Sequence, residues 1–201
     1  VDPDIIHLHW INAGFLSIDS LSKLEKPIVW TMHDMWPITG GCHHAGRCRR
    51  FESSCGRCPA LGSSRSRDLS RLIWEKKSAV FDGLDLTVVT PSTWLAEQAA
   101  KSSLFEGVDI QVIPNGIDTS LYSPYENTVA KEELKLNSDS RKILFGAANI
   151  DNQRKGADHL FSAIRNLHQR ISDFELVLFG TSETGVPDDL VSCTQNLGRI
   201  T

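Results

Sequence analysis

Short apolar runs and amphipathic stretches alternate along this chain of 201 residues. The runs are Ile5–Trp10 (IIHLHW), Ile28–His33 (IVWTMH), Leu84–Thr90 (LDLTVVT), Ile110–Ile113 (IQVI), Ile143–Ala148 (ILFGAA) and Phe174–Phe179 (FELVLF). Near-continuous apolar runs of this length mark strands buried on both faces, as in parallel sheets. Between them the period changes to 3.6. Leu69, Leu72, Ile73 and Val80 fall on one helical face behind Asp68, a residue suited to capping a helix start. Leu160, Ile164, Leu167 and Ile171 form a stripe in a helix expected over 157–170. Strands alternating with helices predict an α/β, doubly wound architecture.

The pattern breaks once. From Asp118 to Arg141 the chain is polar, carries Pro124, and has room for one short helix near Lys131–Leu136. This reads as an interdomain linker. The α/β alternation restarts after it, so the chain divides into two Rossmann-like halves, 1–120 and 121–201, each incomplete. Neither G-x-G-x-x-G nor the Walker pattern occurs, which excludes the usual signatures of an NAD enzyme or a P-loop NTPase.

Composition narrows the class a little further. Charged residues make up 23% and the net charge is −4, so no bulk attraction to nucleic acid is expected. No apolar run approaches the ~18 residues of a membrane span. The opening Val1-Asp2-Pro3-Asp4 has no basic n-region or apolar h-region, and the chain is expected to be an internal fragment of a longer protein.

Two clusters carry candidate chemistry. In the second half, strand Ile143–Ala148 runs through a loop into Gln153-Arg154-Lys155-Gly156 and a helix start. Backbone N–H groups and the helix dipole there favour a phosphate, and Arg154 and Lys155 add mobile charge. The plainer reading is a pair of solvated charges in a turn. In the first half, Cys42, Cys48, Cys55 and Cys58 follow the spacing C-x5-C-x6-C-x2-C, beside His43 and His44. Four thiolates, or three and a His, suit a closed tetrahedral zinc site. Two disulfides or four free thiols are the alternatives. Cys193 stands apart.

The order of motifs resembles a known family. Ile5–Trp10 ends in H-x-H-W, and Trp30-Thr31-Met32-His33-Asp34 ends a strand in a His. Then come Pro91-Ser92-Thr93-Trp94, Pro114-Asn115-Gly116-Ile117-Asp118 after a strand, and Arg154-Lys155-Gly156 before a helix. This series is similar to the family 4 glycosyltransferases of GT-B fold, and Trp36–Cys42 with the later cysteines resembles their bacterial exopolysaccharide, colanic-acid-type branch.

The resemblance implies a retaining hexosyltransferase that moves a sugar from a nucleotide-sugar donor of UDP or GDP type to a saccharide or lipid-linked acceptor. It would work in the cytoplasm near the inner membrane face and use no cofactor for catalysis. Residues 1–120 would belong to the acceptor domain, with a Cys-rich insertion at 36–62, and 121–201 would begin the donor domain. Arg154 and Lys155 would neutralise the donor diphosphate, with Asn115 and Gly116 also on the donor side, and His33 would be the catalytic His of the cleft. Gly146 is followed by Ala147 and Ala148 where the family often has an Arg. The family's E-x7-E segment and N-terminal Gly-rich loop are absent, so the fragment is expected to be inactive.

Other readings stay open. Arg47, Arg49, Arg50, Arg57, Arg65, Arg67 and Arg71 could attract an anionic acceptor or lipid head groups, or simply form a solvated loop surface. His7 and His9 share one side of a strand as cleft or core residues. Trp10, Trp36 and Trp94 could stack on a sugar, and Trp30 reads as core. The rivals to sugar transfer are a GT-B sugar-nucleotide epimerase and a non-enzymatic, zinc-containing interaction module.

Overall fold

A computed structural model describes residues 2–136 and 139–200. The chain forms two compact units, Val1–Asp118 and Thr119–Thr201.

In the first unit, β1 (Ile6–Leu8), β2 (Ile28–Thr31), β3 (Leu86–Thr90) and β4 (Asp109–Val112) form one parallel sheet in the order β1-β2-β3-β4. The short helix α1 (Ile18–Leu21) connects β1 to β2. Helix α2 (Leu69–Phe81) leads into β3, and α3 (Thr93–Lys101) connects β3 to β4. Both faces of β2 and β3 are covered, as their unbroken apolar runs require. Ile28, Trp30 and Val88 are almost fully buried, and Trp30 meets Phe81 edge-on at 5.7 Å between ring centres. The last apolar run behaves differently: Val112 and Ile113 are exposed. β4 has a sheet neighbour on one side only, so its apolar character did not require burial on both faces.

In the second unit, α4 (Asn127–Glu133) precedes β5 (Arg141–Asn149), α5 (Ala157–His168), β6 (Phe174–Thr181) and β7 (Thr194–Asn196), with sheet order β5-β6-β7, all parallel. Helix α4 begins four residues before the expected Lys131 and ends before Leu136, where Lys135 adopts φ +54 and breaks the turn. Leu176 and Leu178 on β6 and Ile164 on α5 centre the core. Leu144 is 65% exposed because β5 borders this sheet. Each unit is thus a Rossmann-like α/β layer with fewer strands than a full doubly wound domain.

One correction concerns α2. The expected apolar stripe would bury Leu69 and Leu72, yet both are exposed, while Ser70, Lys77 and Phe81 are buried. The reason lies in segment 36–62, which packs against this helix. Its short 3₁₀ turns leave buried backbone groups that no ladder satisfies. Lys77 Nζ donates to the carbonyls of Trp36 and Thr39, and Ser70 Oγ accepts from Gly56 N–H. The helix therefore turns a polar face inward to complete the hydrogen bonding of the loop.

Candidate functional site

In the first unit the chemistry gathers at the carboxyl ends of β1 and β2. The two strands pair in register, Leu8 beside Trp30, so the residues just beyond them emerge together. His9 Nδ1 and His33 Nε2 share a hydrogen bond of 2.9 Å, with the rings stacked at 5.2 Å between centres. One ring donates its N–H and the other accepts. His9 is held from its own side: its carbonyl accepts from Trp30 Nε1–H at 3.2 Å, and the His7 ring lies 4.4 Å away. His7 in turn shares a 2.8 Å hydrogen bond with Thr31 Oγ1.

Asp34 adds a carboxylate to the same place. One oxygen accepts from Trp36 N–H at 2.8 Å and the other pairs with His43 Nδ1 at 2.7 Å. The Trp10 ring lies 6.1 Å from His43. A crevice is lined by His9, Trp10, Asn12, His33, Asp34 and Trp36. Asn12 Oδ1 is buried and has no hydrogen-bond partner among the described residues. A buried orphan acceptor costs about 1–3 kcal/mol. Asn12 and the pairing of Asp34 with His43 were not singled out by the sequence, which offered His9 only as a cleft or core residue and His43 only as a neighbour of the cysteines. The H-x-H-W string was the available signal for His9.

The residues expected on the donor side lie in different places. Asn115 and Gly116 follow β4 in exposed, irregular chain of the first unit. Arg154 and Lys155 lie in the second unit, in a 3₁₀ turn over Gln153–Lys155 ahead of α5. Asn152 Oδ1 caps this turn by accepting from Arg154 N–H, and Gly156 at φ +82 redirects the chain into the helix. Both cations are exposed, and neither makes an ion pair among the described residues. The turn is braced by Asp151, whose carboxylate accepts from the Ser182 and Thr184 hydroxyls and from the Glu183 and Thr184 N–H groups. These bonds, that from Ser182 foremost, hold the carboxyl down to about 2.

A separate open groove of about 470 Å³ runs along the carboxyl edge of this sheet, lined by Ala147, Ala148, Phe179, Gly180, Thr181 and Arg199. Arg154 and Lys155 are not in its wall. Arg199, unassigned in the sequence, brings a cation to the edge where an Arg after Gly146 was missing. At Gly146 itself the Phe179 ring occupies the space of a side chain.

All five cysteines are free thiols, so the disulfide reading is not realised. A formed zinc knuckle is not found either. Among the described residues, no group of three or more His, Cys, Asp or Glu side chains is arranged to hold a metal ion as it stands. The arginine-rich loop is less available than its composition suggests. Arg49 pairs with Glu52, Arg67 and Arg71 pair with Glu75, and Arg71 also donates to Ser54 O. Among the described residues, no helix is long and apolar enough to cross a membrane.

Comparison with known proteins settles the family. Residues 1–121 match the model of Glycosyltransferase Family 4. The chain belongs to glycosyltransferase family 4. Over 130 residues it is 28% identical to the colanic acid biosynthesis glycosyl transferase WcaC of Escherichia coli (strain K12), whose own function is assigned provisionally. That match covers 58% of this chain and 32% of the relative, so the chain spans about a third of that protein's length. The family match spans His9, His33 and Asp34, whereas Arg154, Lys155 and Arg199 lie beyond the matched residues.

Proposed function

We propose that this chain is part of a retaining hexosyltransferase that moves a sugar from a UDP- or GDP-type donor to a saccharide or lipid-linked acceptor. The observation that carries the reading is the His9–His33 pair at adjacent strand ends, within a chain matched to a glycosyltransferase family. Carboxyl ends of parallel strands are where α/β sheets bind ligands.

In this reading the first unit handles the acceptor and the transferred sugar. His33, oriented by His9, hydrogen-bonds the sugar and holds its anomeric carbon open on the leaving-group face. Exposed Trp10 offers a ring for stacking. The second unit handles the nucleoside diphosphate. Arg154 and Lys155 offset the charge that builds on the departing β-phosphate oxygen as the glycosidic C–O bond breaks. Asn115 and Gly116 would contribute backbone and amide contacts on the donor side. The acceptor oxygen bonds to the anomeric carbon from the same face, and its proton passes to the departing phosphate oxygen. The naming of WcaC for colanic acid biosynthesis supports a polysaccharide-type acceptor.

The test uses the full-length protein with a panel of UDP- and GDP-sugars and polyprenyl-linked or free saccharide acceptors. Transfer with the donor's anomeric configuration kept, read by NMR of the product, is the expected result. An inverted product overturns the retaining mechanism. Conversion of the donor to an epimer without transfer would favour the epimerase reading.

A further inference from the structure

We infer that Cys42, Cys48, Cys55 and Cys58 bind one zinc ion as a closed, four-thiolate structural centre that fastens segment 36–62 onto helix α2. The inference is independent of the sugar-transfer reading.

The first observation is convergence. Four cysteines spread over seventeen positions of chain, from Cys42 to Cys58, line a single cavity together with Gly40 and Phe51. Its volume is about 20 Å³, against the roughly 10–15 Å³ that one water-sized guest needs. A single ion fits such a space. The fifth cysteine, Cys193, lies in the other unit and donates to Leu190 O, so the gathering is specific to the four.

Donor chemistry gives a second argument. His43 is not among the residues that line the cavity, which leaves the sulfurs as the donor set around it. Soft thiolates in a set of four select zinc in tetrahedral geometry. Cys55 Sγ already accepts from Gly40 N–H at 3.2 Å, a contact that suits a thiolate better than a thiol.

The backbone adds a third. Cys55, Gly56 and Arg57 are three successive residues at positive φ, +51, +92 and +47. The two that are not glycine carry steric strain of about 1–2 kcal/mol each. At Gly56 a Cβ would stand 2.2 Å from Ser66 O, so no other residue fits. Strain of this kind persists where the surroundings impose it, and it clusters at functional sites. Here the strained turn leads from Cys55 to Cys58, both of which line the cavity. Cys58 N–H is pinned by Asp68 Oδ2 at 2.8 Å and Gly56 N–H by Ser70 Oγ at 3.0 Å, both from the start of α2.

The fourth is charge. Binding follows Zn²⁺ + 4 Cys–SH → [Zn(S–Cys)₄]²⁻ + 4 H⁺, which leaves two negative charges in a part-buried site. Lys77 is fully buried and donates only to the carbonyls of Trp36 and Thr39, over the face of the Trp36 ring. It forms no salt bridge among the described residues. A buried ammonium without an ion pair is costly. Thr39, whose carbonyl Lys77 holds, lines the same cavity as the four cysteines, so a zinc–thiolate dianion there would supply a nearby counter-charge. With the metal bound, the sulfurs close to about 2.3 Å from it.

The experiment is metal analysis of the full-length protein purified from cells without chelator or added metal. About one zinc per chain is expected, with the four thiols slow to react until a chelator or mercurial releases the ion. Replacement by Co²⁺ should give the intense thiolate-to-cobalt absorption of a tetrahedral four-sulfur site. Cys193→Ala should keep its zinc, and Cys48→Ser should lose it. Lys77→Met should weaken zinc binding by roughly 10- to 100-fold, as loss of an outer partner does. Zinc-free protein whose four thiols titrate freely in the native state overturns the proposal, as does zinc-free protein with two disulfides. Iron in place of zinc overturns the identity of the metal. Zinc affinity within twofold of wild type in Lys77→Met removes the charge argument. Since the primary readout is the unmodified protein, a variant that fails to fold does not decide the matter, and none of these outcomes depends on sugar transfer.

Discussion

His9 Nδ1 lies 2.9 Å from His33 Nε2, on rings inclined by only 21°. The two residues are 24 apart in sequence, and they meet because β1 and β2 pair in parallel and end side by side. The contact engages one nitrogen of His33; in the proposed reaction the other, Nδ1, would meet the sugar. In that proposal His9 would act as a positioning residue for His33.

His33→Ala in the full-length enzyme should lower kcat strongly while leaving nucleotide affinity within a few fold. His9→Ala should lower kcat less, because His33 survives with its orientation loosened. Steady-state kinetics beside nucleotide titration checks both. A lowered melting temperature with unchanged kcat of the folded fraction would mean that the pair only packs the strand ends.

Lys155→Ala should lose about 2–4 kcal/mol of transition-state stabilisation, a fall in kcat/KM of roughly 30- to 1000-fold, if it faces the leaving diphosphate. Arg154→Ala should fall in the same range. Activity within threefold of wild type removes the residue from the site. Stability should not change in either case, since both side chains are exposed and unpaired among the described residues.

Gly180→Ala tests how the carboxyl edge of the second sheet closes. A Cβ there would lie 1.8 Å from Ala147 O, at φ +123. The pairing of β5 with β6 is irregular between Gly146 and Asn149, just where this carbonyl intrudes. Backbone cannot yield as a side-chain tip can, so a loss of about 2–4 kcal/mol is expected, read as a lower midpoint in denaturant. Wild-type stability would show that the irregularity can shift freely.

Asp151 sets an acid limit on the loop after β6. Its folded value of about 2 lies below the ordinary 3.8 because hydroxyls and N–H groups hold the charged form. The bonds are therefore at full strength above the unfolded value and are lost as pH falls from there through about 2. Amide exchange at Glu183 and Thr184 should accelerate over that window, beyond the intrinsic pH trend. In Asp151→Ala the two amides should exchange fast at every pH.

Much of the first unit was legible because strand burial is written locally. The runs at Ile28–His33 and Leu84–Thr90 are apolar since both faces of β2 and β3 are covered, and the Asp68 cap precedes α2 where expected. The same logic misjudged Leu144 and Ile113, because whether an apolar strand is central or at a border depends on how many neighbours it gains. It also misjudged α2, where the buried face is chosen by the loop it supports and not by its own leucines.

By itself, then, the sequence determined the α/β alternation, the break near Asp118, the cysteine spacing and the order of motifs that marks the family, all of them properties of neighbouring residues. The tertiary structure decided which distant groups share a place: His9 with His33, His43 with Asp34, Asp151 with the 182–184 loop, and the four thiols around one cavity beneath Lys77. These pairings depend on strand register and on the hydrogen-bond needs of irregular backbone, and both are settled only when the chain is folded against itself.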